Sequence, residues 1–159
     1  MIMGKETERK FLVDSDEFKS EAEGVYIHQG FLNTDKNRVV RVRIYGNEGF
    51  LTVKGITKGA TRTEFEYEIP KEDAETMLSE LCEKPTVEKY RYRIKSGEHV
   101  WEVDEFHAEN EGLVVAEIEL TEEDEKFEKP YWVGEEVTDD PRYFNANLVK
   151  NPYKNWKSS

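Results

Sequence analysis

The sequence predicts a mostly β (α+β) fold in which antiparallel strands close into a barrel with a charged lumen and a few helices cover its outside. Three observations lead there. Short runs alternate charged and apolar residues with a period of two, turn signals recur between the runs, and only one stretch has clear helical periodicity. The chain of 159 residues has the length of one domain, 1–159, and no repeat or linker interrupts it.

Residues two apart in a strand share a face. At the start, Glu6, Glu8 and Lys10 point one way and Thr7, Arg9 and Phe11 the other. Next, Arg41 and Arg43 oppose Val40, Val42 and Ile44, and Thr52 and Lys54 oppose Leu51 and Val53. Glu64, Glu66 and Glu68 then oppose Phe65, Tyr67 and Ile69. Lys89, Arg91 and Arg93 oppose Tyr90, Tyr92 and Ile94; Glu102 and Asp104 oppose Trp101 and Val103; Glu117 and Glu119 oppose Ala116, Ile118 and Leu120. Turns are expected at Asn33-Thr34-Asp35, Tyr45-Gly46-Asn47, Thr57-Lys58-Gly59 and Ser96-Gly97.

Helix spacing places Ala74, Met77, Leu78, Leu81 and Cys82 on one stripe between Pro70 and Pro85. Shorter helices are expected at Thr121 to Phe127, where acidic residues fill the first turn, and from Pro141 to Lys150, with Asp140 as cap. Pro130 and Pro152 should stop them.

A sheet with one wet face explains any single strand. It does not explain why signs are sorted by strand, since Glu64, Glu66 and Glu68 stand in a row, as do Lys89, Arg91 and Arg93, and like charges side by side on a sheet are unfavourable. Turning these faces inward gives a lumen dense in both signs. Such a wall suits a polyanion that travels with a divalent metal, carboxylates serving Mg²⁺ or Mn²⁺ and Arg or Lys serving phosphate oxygens.

Other classes are excluded or unsupported. The 23 basic and 35 acidic residues leave a net charge of −12, which disfavours nucleic acid and anionic lipid as partners. No run approaches the roughly 20 apolar residues of a membrane span, and Met1 to Lys10 carries no apolar signal region, so a cytoplasmic protein is expected. The lone Cys82 has no partner for an internal disulfide. His28, His99 and His107 lack metal-ligand spacing, Gly55 and Gly59 match no phosphate-binding loop, and Trp101, Trp132 and Trp156 read as packing residues.

Glu6-Thr7-Glu8-Arg9-Lys10 resembles the E-x-E-x-K signature that opens the CYTH family, the triphosphate tunnel metalloenzymes. Arg41-Val42-Arg43, Thr52-Val53-Lys54, Glu64-Phe65-Glu66, Lys89-Tyr90-Arg91-Tyr92, Glu102-Val103-Asp104 and Glu117-Ile118-Glu119 resemble its successive tunnel strands in order. Gly134 to Asp139 with Arg142-Tyr143 is similar to the closing motif of short bacterial members. The resemblance implies an eight-stranded antiparallel tunnel that binds a linear triphosphate with Mg²⁺ or Mn²⁺. It also implies roles. Glu6, Glu8 and Glu119 would hold the metal, with Glu117 and Asp104 nearby. Lys10, Arg41, Arg43, Lys54, Lys89 and Arg91 would bind phosphates. Glu64 and Glu66 would position a second metal or the attacking water, and Lys89 would join them at the chemistry.

His28-Gln29-Gly30-Phe31-Leu32 resembles the Gln-Gly-Tyr-Leu segment of the tripolyphosphatase-like branch, with Phe31 in place of its tyrosine. The expected activity is therefore metal-dependent hydrolysis of inorganic triphosphate, with a small-molecule triphosphate or polyphosphate as the expected partner. The alternatives are a class IV type adenylate cyclase, a catalytically silent binder of polyphosphate or nucleotide, and an acidic β scaffold. A homodimer is compatible with all of them.

Overall fold

In the computed structural model the described residues are 6–156, with Glu6 described by its backbone alone. Ten strands form one antiparallel sheet: β1 (Glu6–Val13), β2 (Val25–Asn33), β3 (Arg38–Tyr45), β4 (Glu48–Gly55), β5 (Thr61–Arg62), β6 (Glu64–Ile69), β7 (Val87–Ser96), β8 (His99–Phe106), β9 (Val114–Leu120) and β10 (Val133–Glu136). Hydrogen-bonded neighbours run β10-β1-β9-β8-β7-β2-β3-β4-β6, and β5 pairs with β1. All seven alternating segments are strands. Gly46 and Gly97 take the left-handed φ of +62° that the two-residue hairpins β3–β4 and β7–β8 require.

The expectation of a closed eight-stranded barrel is corrected on two points: among the described residues there are ten strands, and no ladder joins β6 to β1. The reason lies at Thr63. Before it, β5 pairs with β1 (Glu6 opposite Arg62, Thr7 opposite Thr61); after it, β6 pairs with β4 along its whole length. The rest of the same β1 edge is taken by β10, with Phe11 opposite Glu136 and Val13 opposite Val133. Along that edge β1 therefore meets β5 and then β10, while β6 is committed to β4. The corner at Thr63 nevertheless ties the two ends of the sheet together, and the inward faces surround one interior.

That interior is charged over only part of its length. Beyond the charged positions, inward residues turn apolar: Phe31, Val39, Val87, Phe106 and Val115 form a cluster with Val137, Tyr143, Leu148 and Val149 of the C-terminal segment. Outside, two further clusters cover the sheet. Trp101, Val103, Ala116, Ile118 and Phe11 pack with Phe18 and Trp132, and Val42, Ile44 and Cys82 pack with Ala74 and Leu78 of α1 (Lys71–Glu80). α1 covers the outer face of β4 and β6 at Leu51 and Ile69, and Val53, Phe65 and Tyr67 are exposed beyond it.

The helices differ in detail from expectation. α1 ends at Glu80, so Leu81 is 63% exposed rather than on the packed stripe, while Cys82 is buried beyond the helix end. Residues 121–127 form turns instead of a helix. Glu125 takes both the backbone N–H and the hydroxyl of Thr121, at 2.6 Å each, so its side chain pins the segment in a turn. Phe127 then reaches the outer core against Trp101 and Phe11.

The expected helix from Pro141 to Lys150 is split into a single 3-10 turn, Pro141–Tyr143, and α2 (Asn145–Lys150). Phe144 between them is extended (φ −71°, ψ 130°). Asp140 caps the first piece by accepting from the Arg142 N–H. Leu148 and Val149 of α2 are buried in the interior's apolar half, which closes that end. No helix among the described residues is long and apolar enough to cross a membrane.

Candidate active site

The charged faces converge on a cavity of about 330 Å³. Among the described residues nine cations and six carboxylates line it, an excess of positive charge inside a chain of net charge −12. Lys10, Arg41, Arg43, Lys54, Lys89 and Arg91, the expected phosphate ligands, are all there, with Glu8, Glu64, Glu66, Glu117 and Glu119. Asp104 lies directly behind, bonded to the cavity cations Arg91 and Lys89. The side chain of Glu6 lies outside the described residues.

The cations divide by the carboxylates that hold them. Asp104, opposite Arg91 on β8, accepts Arg91 Nε at 2.7 Å and Nη2 at 2.9 Å, and Lys89 Nζ approaches its Oδ2 at 2.7 Å. Burial alone would raise the Asp104 pKa, but these two cations overcome it and hold the carboxyl far below the usual range. The Arg91 guanidinium is stabilised in turn, its burial outweighed by Asp104 and Glu102. Lys89, 1% exposed, is pushed down to about 7 by burial, with Arg91 and Arg43 nearby opposing the pull of Asp104. Arg43 is lowered to about 9 by burial and by Arg41 and Arg91.

Glu117 stands opposite Lys10 across the β1–β9 ladder and holds its Nζ at 3.0 Å. Although burial opposes it, Lys10 leads in drawing the Glu117 pKa down to about 2. On the far side of the cavity Arg41 donates to Glu66 at 3.3 Å, Thr52 donates to the same oxygen at 2.8 Å, and Lys54 lies 3.7 Å from Glu64.

Glu119 behaves differently. Its direct neighbour across the ladder is Glu8, and its pKa is raised by burial and by the charges of Glu8 and Glu64. Like carboxylates brought together in this way repel one another, and hard oxygen donors are what Mg²⁺ and Mn²⁺ take. Glu8, Glu119 and Glu64 therefore fit a divalent metal, although among the described residues no three metal-binding side chains already close around a single point.

The C-terminal segment adds side chains that the alternating pattern does not reveal. Thr138, Phe144, Asn145 and Asn147 line the cavity, as do Lys36, Arg62 and Arg93. Phe144 lies under Lys10, its ring centroid 5.6 Å from Nζ, and the Tyr143 carbonyl accepts from Nζ at 3.3 Å. Of these, Thr138 falls within the closing motif Gly134 to Asp139, and no sequence signal points to Phe144, Asn145 or Asn147. Phe31 lines the cavity where it meets the apolar half. His28 and His99 bond outside it, to Thr86 and Glu125.

Residues 4–153 match the model of the CYTH domain. The chain belongs to the CYTH family. It is 57% identical to an inorganic triphosphatase of Acetivibrio thermocellus over 155 residues, covering 98% of this chain and 99% of that protein. It is 38% identical to an inorganic triphosphatase of Nitrosomonas europaea, over 91% of this chain and 96% of the other. The crystal structure of the inorganic triphosphatase NE1496 superposes with a TM-score of 0.65 at 36% identity, covering 90% of this CYTH chain and 96% of its own.

Proposed function

We propose that this CYTH protein is a metal-dependent hydrolase, cytoplasmic and a single domain, that cleaves inorganic triphosphate to orthophosphate and pyrophosphate. The observation that carries the reading is the cavity's opposed charge: cations enough for a polyanion stand beside a carboxylate cluster in which Glu119 is raised by burial and by the charges of Glu8 and Glu64. The naming of both relatives supports it.

In this reading Glu8 and Glu119, with Glu6, hold Mg²⁺ or Mn²⁺. When bound, the ion would neutralise phosphate charge and polarise the phosphorus centre. Asp104 and Glu117, each already engaged by Lys and Arg, keep the phosphate-binding cations in place. Lys10, Arg41, Arg43, Lys54, Lys89 and Arg91 bind the non-bridging oxygens, across which charge spreads as the phosphoryl group transfers. Water attacks the terminal phosphorus and the bridging P–O bond breaks. Pyrophosphate departs with that electron pair. Glu64 and Glu66 face the same space and position the water.

The test is phosphate release from triphosphate, ATP and thiamine triphosphate with Mg²⁺ or Mn²⁺, with products identified. Triphosphate should have the highest kcat/KM and cyclic AMP should be negligible. Cyclic AMP as the main product of ATP would overturn the reading in favour of a cyclase. Absence of turnover with tight triphosphate binding would leave a binder. Binding itself should register as a rise in melting temperature, since ligand at 100 times its Kd adds about 2.7 kcal/mol.

A further inference from the structure

Asn145, the first residue of α2, reaches the cavity wall, where its Oδ1 accepts from Gln29 Nε2 at 2.8 Å and from Lys89 Nζ at 2.9 Å. Chemistry fixes which way both amides face. Arg43 Nε has only a proton to offer, so the Gln29 atom 2.9 Å from it is the oxygen, and Gln29 must present Nε2 to Asn145. The Lys89 ammonium is also donor only and Gln29 Nε2 carries protons, so the Asn145 atom that meets both is its oxygen. Donor-only groups at the two ends thus permit one arrangement of the chain Arg43–Gln29–Asn145–Lys89. Gln29, with no exposed surface, has no water to turn toward instead.

The segment that carries Asn145 is seated without this network. β10 pairs with β1, Leu148 and Val149 fill the interior's apolar half, and the Tyr143 ring packs against Trp156. A single amide is not what holds α2, which leaves the Asn145 contacts for the cations.

We propose that Asn145 is a positioning residue: its carboxamide oxygen, together with Asp104, sets where the Lys89 ammonium stands and, through Gln29, where the Arg43 guanidinium stands, so that the spacing of two phosphate-binding cations on different strands is fixed before substrate arrives. The inference rests on the triphosphatase reading for its kinetic test and is independent of it for its spectroscopic one.

The test compares Asn145→Ala, Asn145→Asp and, as a control on the same helix outside the network, Leu148→Ala. Two properties are measured in each: kcat and KM for triphosphate with Mg²⁺, and the ¹H–¹⁵N signal of the Lys89 ammonium in the metal-free, substrate-free protein, assigned by its loss in Lys89→Met. Asn145→Ala should lower kcat between about 10- and 100-fold, as sub-ångström to ångström misplacement does, and shift or broaden the Lys89 signal. Asn145→Asp keeps an acceptor oxygen, so it should keep the signal and most of kcat while raising KM, because an added carboxylate repels phosphate. Leu148→Ala should lower the melting temperature and leave the Lys89 signal in place.

An Asn145→Ala protein with normal kcat and an unchanged Lys89 signal would overturn the proposal. So would Leu148→Ala reproducing the full Asn145→Ala pattern, which would mean that Asn145 only seats the helix. If Asn145→Ala does not fold, Asn145→Ser, which keeps a small polar group too short to bridge both partners, takes its place. If the wild-type protein does not hydrolyse triphosphate, the functional reading fails and the Lys89 signal alone decides the role of Asn145.

Discussion

Glu119→Gln and Glu8→Gln should each reduce metal-dependent phosphate release at least about 100-fold, equivalent to about 2.7 kcal/mol of transition-state stabilisation, without unfolding the protein. The substitution keeps the shape of the side chain and removes the charge that a divalent cation needs. The expected stability change is the unusual part. The Glu119 pKa is raised in the folded protein by burial, Glu8 and Glu64, so the folded state holds its proton more tightly than the unfolded chain does. Its contribution to stability is then full below the unfolded value and is lost as pH rises through the folded one. Above its folded value ionised Glu119 is a cost, and there Glu119→Gln should raise the metal-free melting temperature while reducing turnover. Differential scanning calorimetry beside a phosphate assay checks both. Normal turnover in both variants would remove Glu8 and Glu119 from the metal site.

Asp104→Ala should act in the opposite direction on stability. Asp104 is 2% exposed and both its oxygens are used by Arg91 and Lys89, so its removal leaves buried Lys89 with no carboxylate at contact distance and Arg91 with Glu102 and the more distant Glu117. Breaking a buried ion pair from one side costs about 3–5 kcal/mol. At about 2–4 °C per kcal/mol for a chain of this size, the melting temperature should fall by roughly 6 to 20 °C. The pH dependence follows from the sign of the shifts. Asp104 and Glu117 are depressed in the folded state, so their stabilisation is present above the unfolded carboxylate values and is lost as pH falls below about 4.5 toward the folded ones. Acid unfolding of the parent should be steep across that window and flatter in Asp104→Asn. Equal slopes would show that Asp104 is not held by its cations.

What was legible in the sequence, and what was not, divides along the period of the backbone. Alternation put Lys89, Arg91, Glu117 and Glu119 on one face because a strand presents every second side chain to the same side, and sorting of sign by strand implied that the face turns inward. Alternation carries no information about where along a strand the lumen stops. Leu12, Val39, Val87 and Val115 follow the same parity as the charged residues, yet they face the apolar half filled by Leu148. The open ladder was equally hidden, since a change of partner at Thr63 is a long-range event with no local signature. The turn at residues 121–125 was misread because an acidic run after Thr121 reads as a helix start, whereas Glu125 satisfies the Thr121 N–H with its side chain. Asn145 escaped notice for a related reason: a polar residue beside a helix start is ordinary until the fold brings Gln29 and Lys89 to it.

The cation excess lies inside a protein whose total charge is −12, and this reverses the usual effect of salt on the encounter rate. An approaching phosphate anion first meets repulsion from the whole molecule and feels the cavity only at short range. Ions at physiological strength screen beyond about 8 Å, so they weaken the outer repulsion more than the enclosed attraction. Triphosphate association should accelerate as ionic strength rises from a few millimolar, the opposite of the steered binding seen when a ligand and its target differ in overall sign. Stopped-flow binding at several salt concentrations measures it. The same field favours anions that arrive with part of their charge already cancelled by a divalent ion and turns away extended polyanions, giving the entrance a selectivity that no single lining residue supplies.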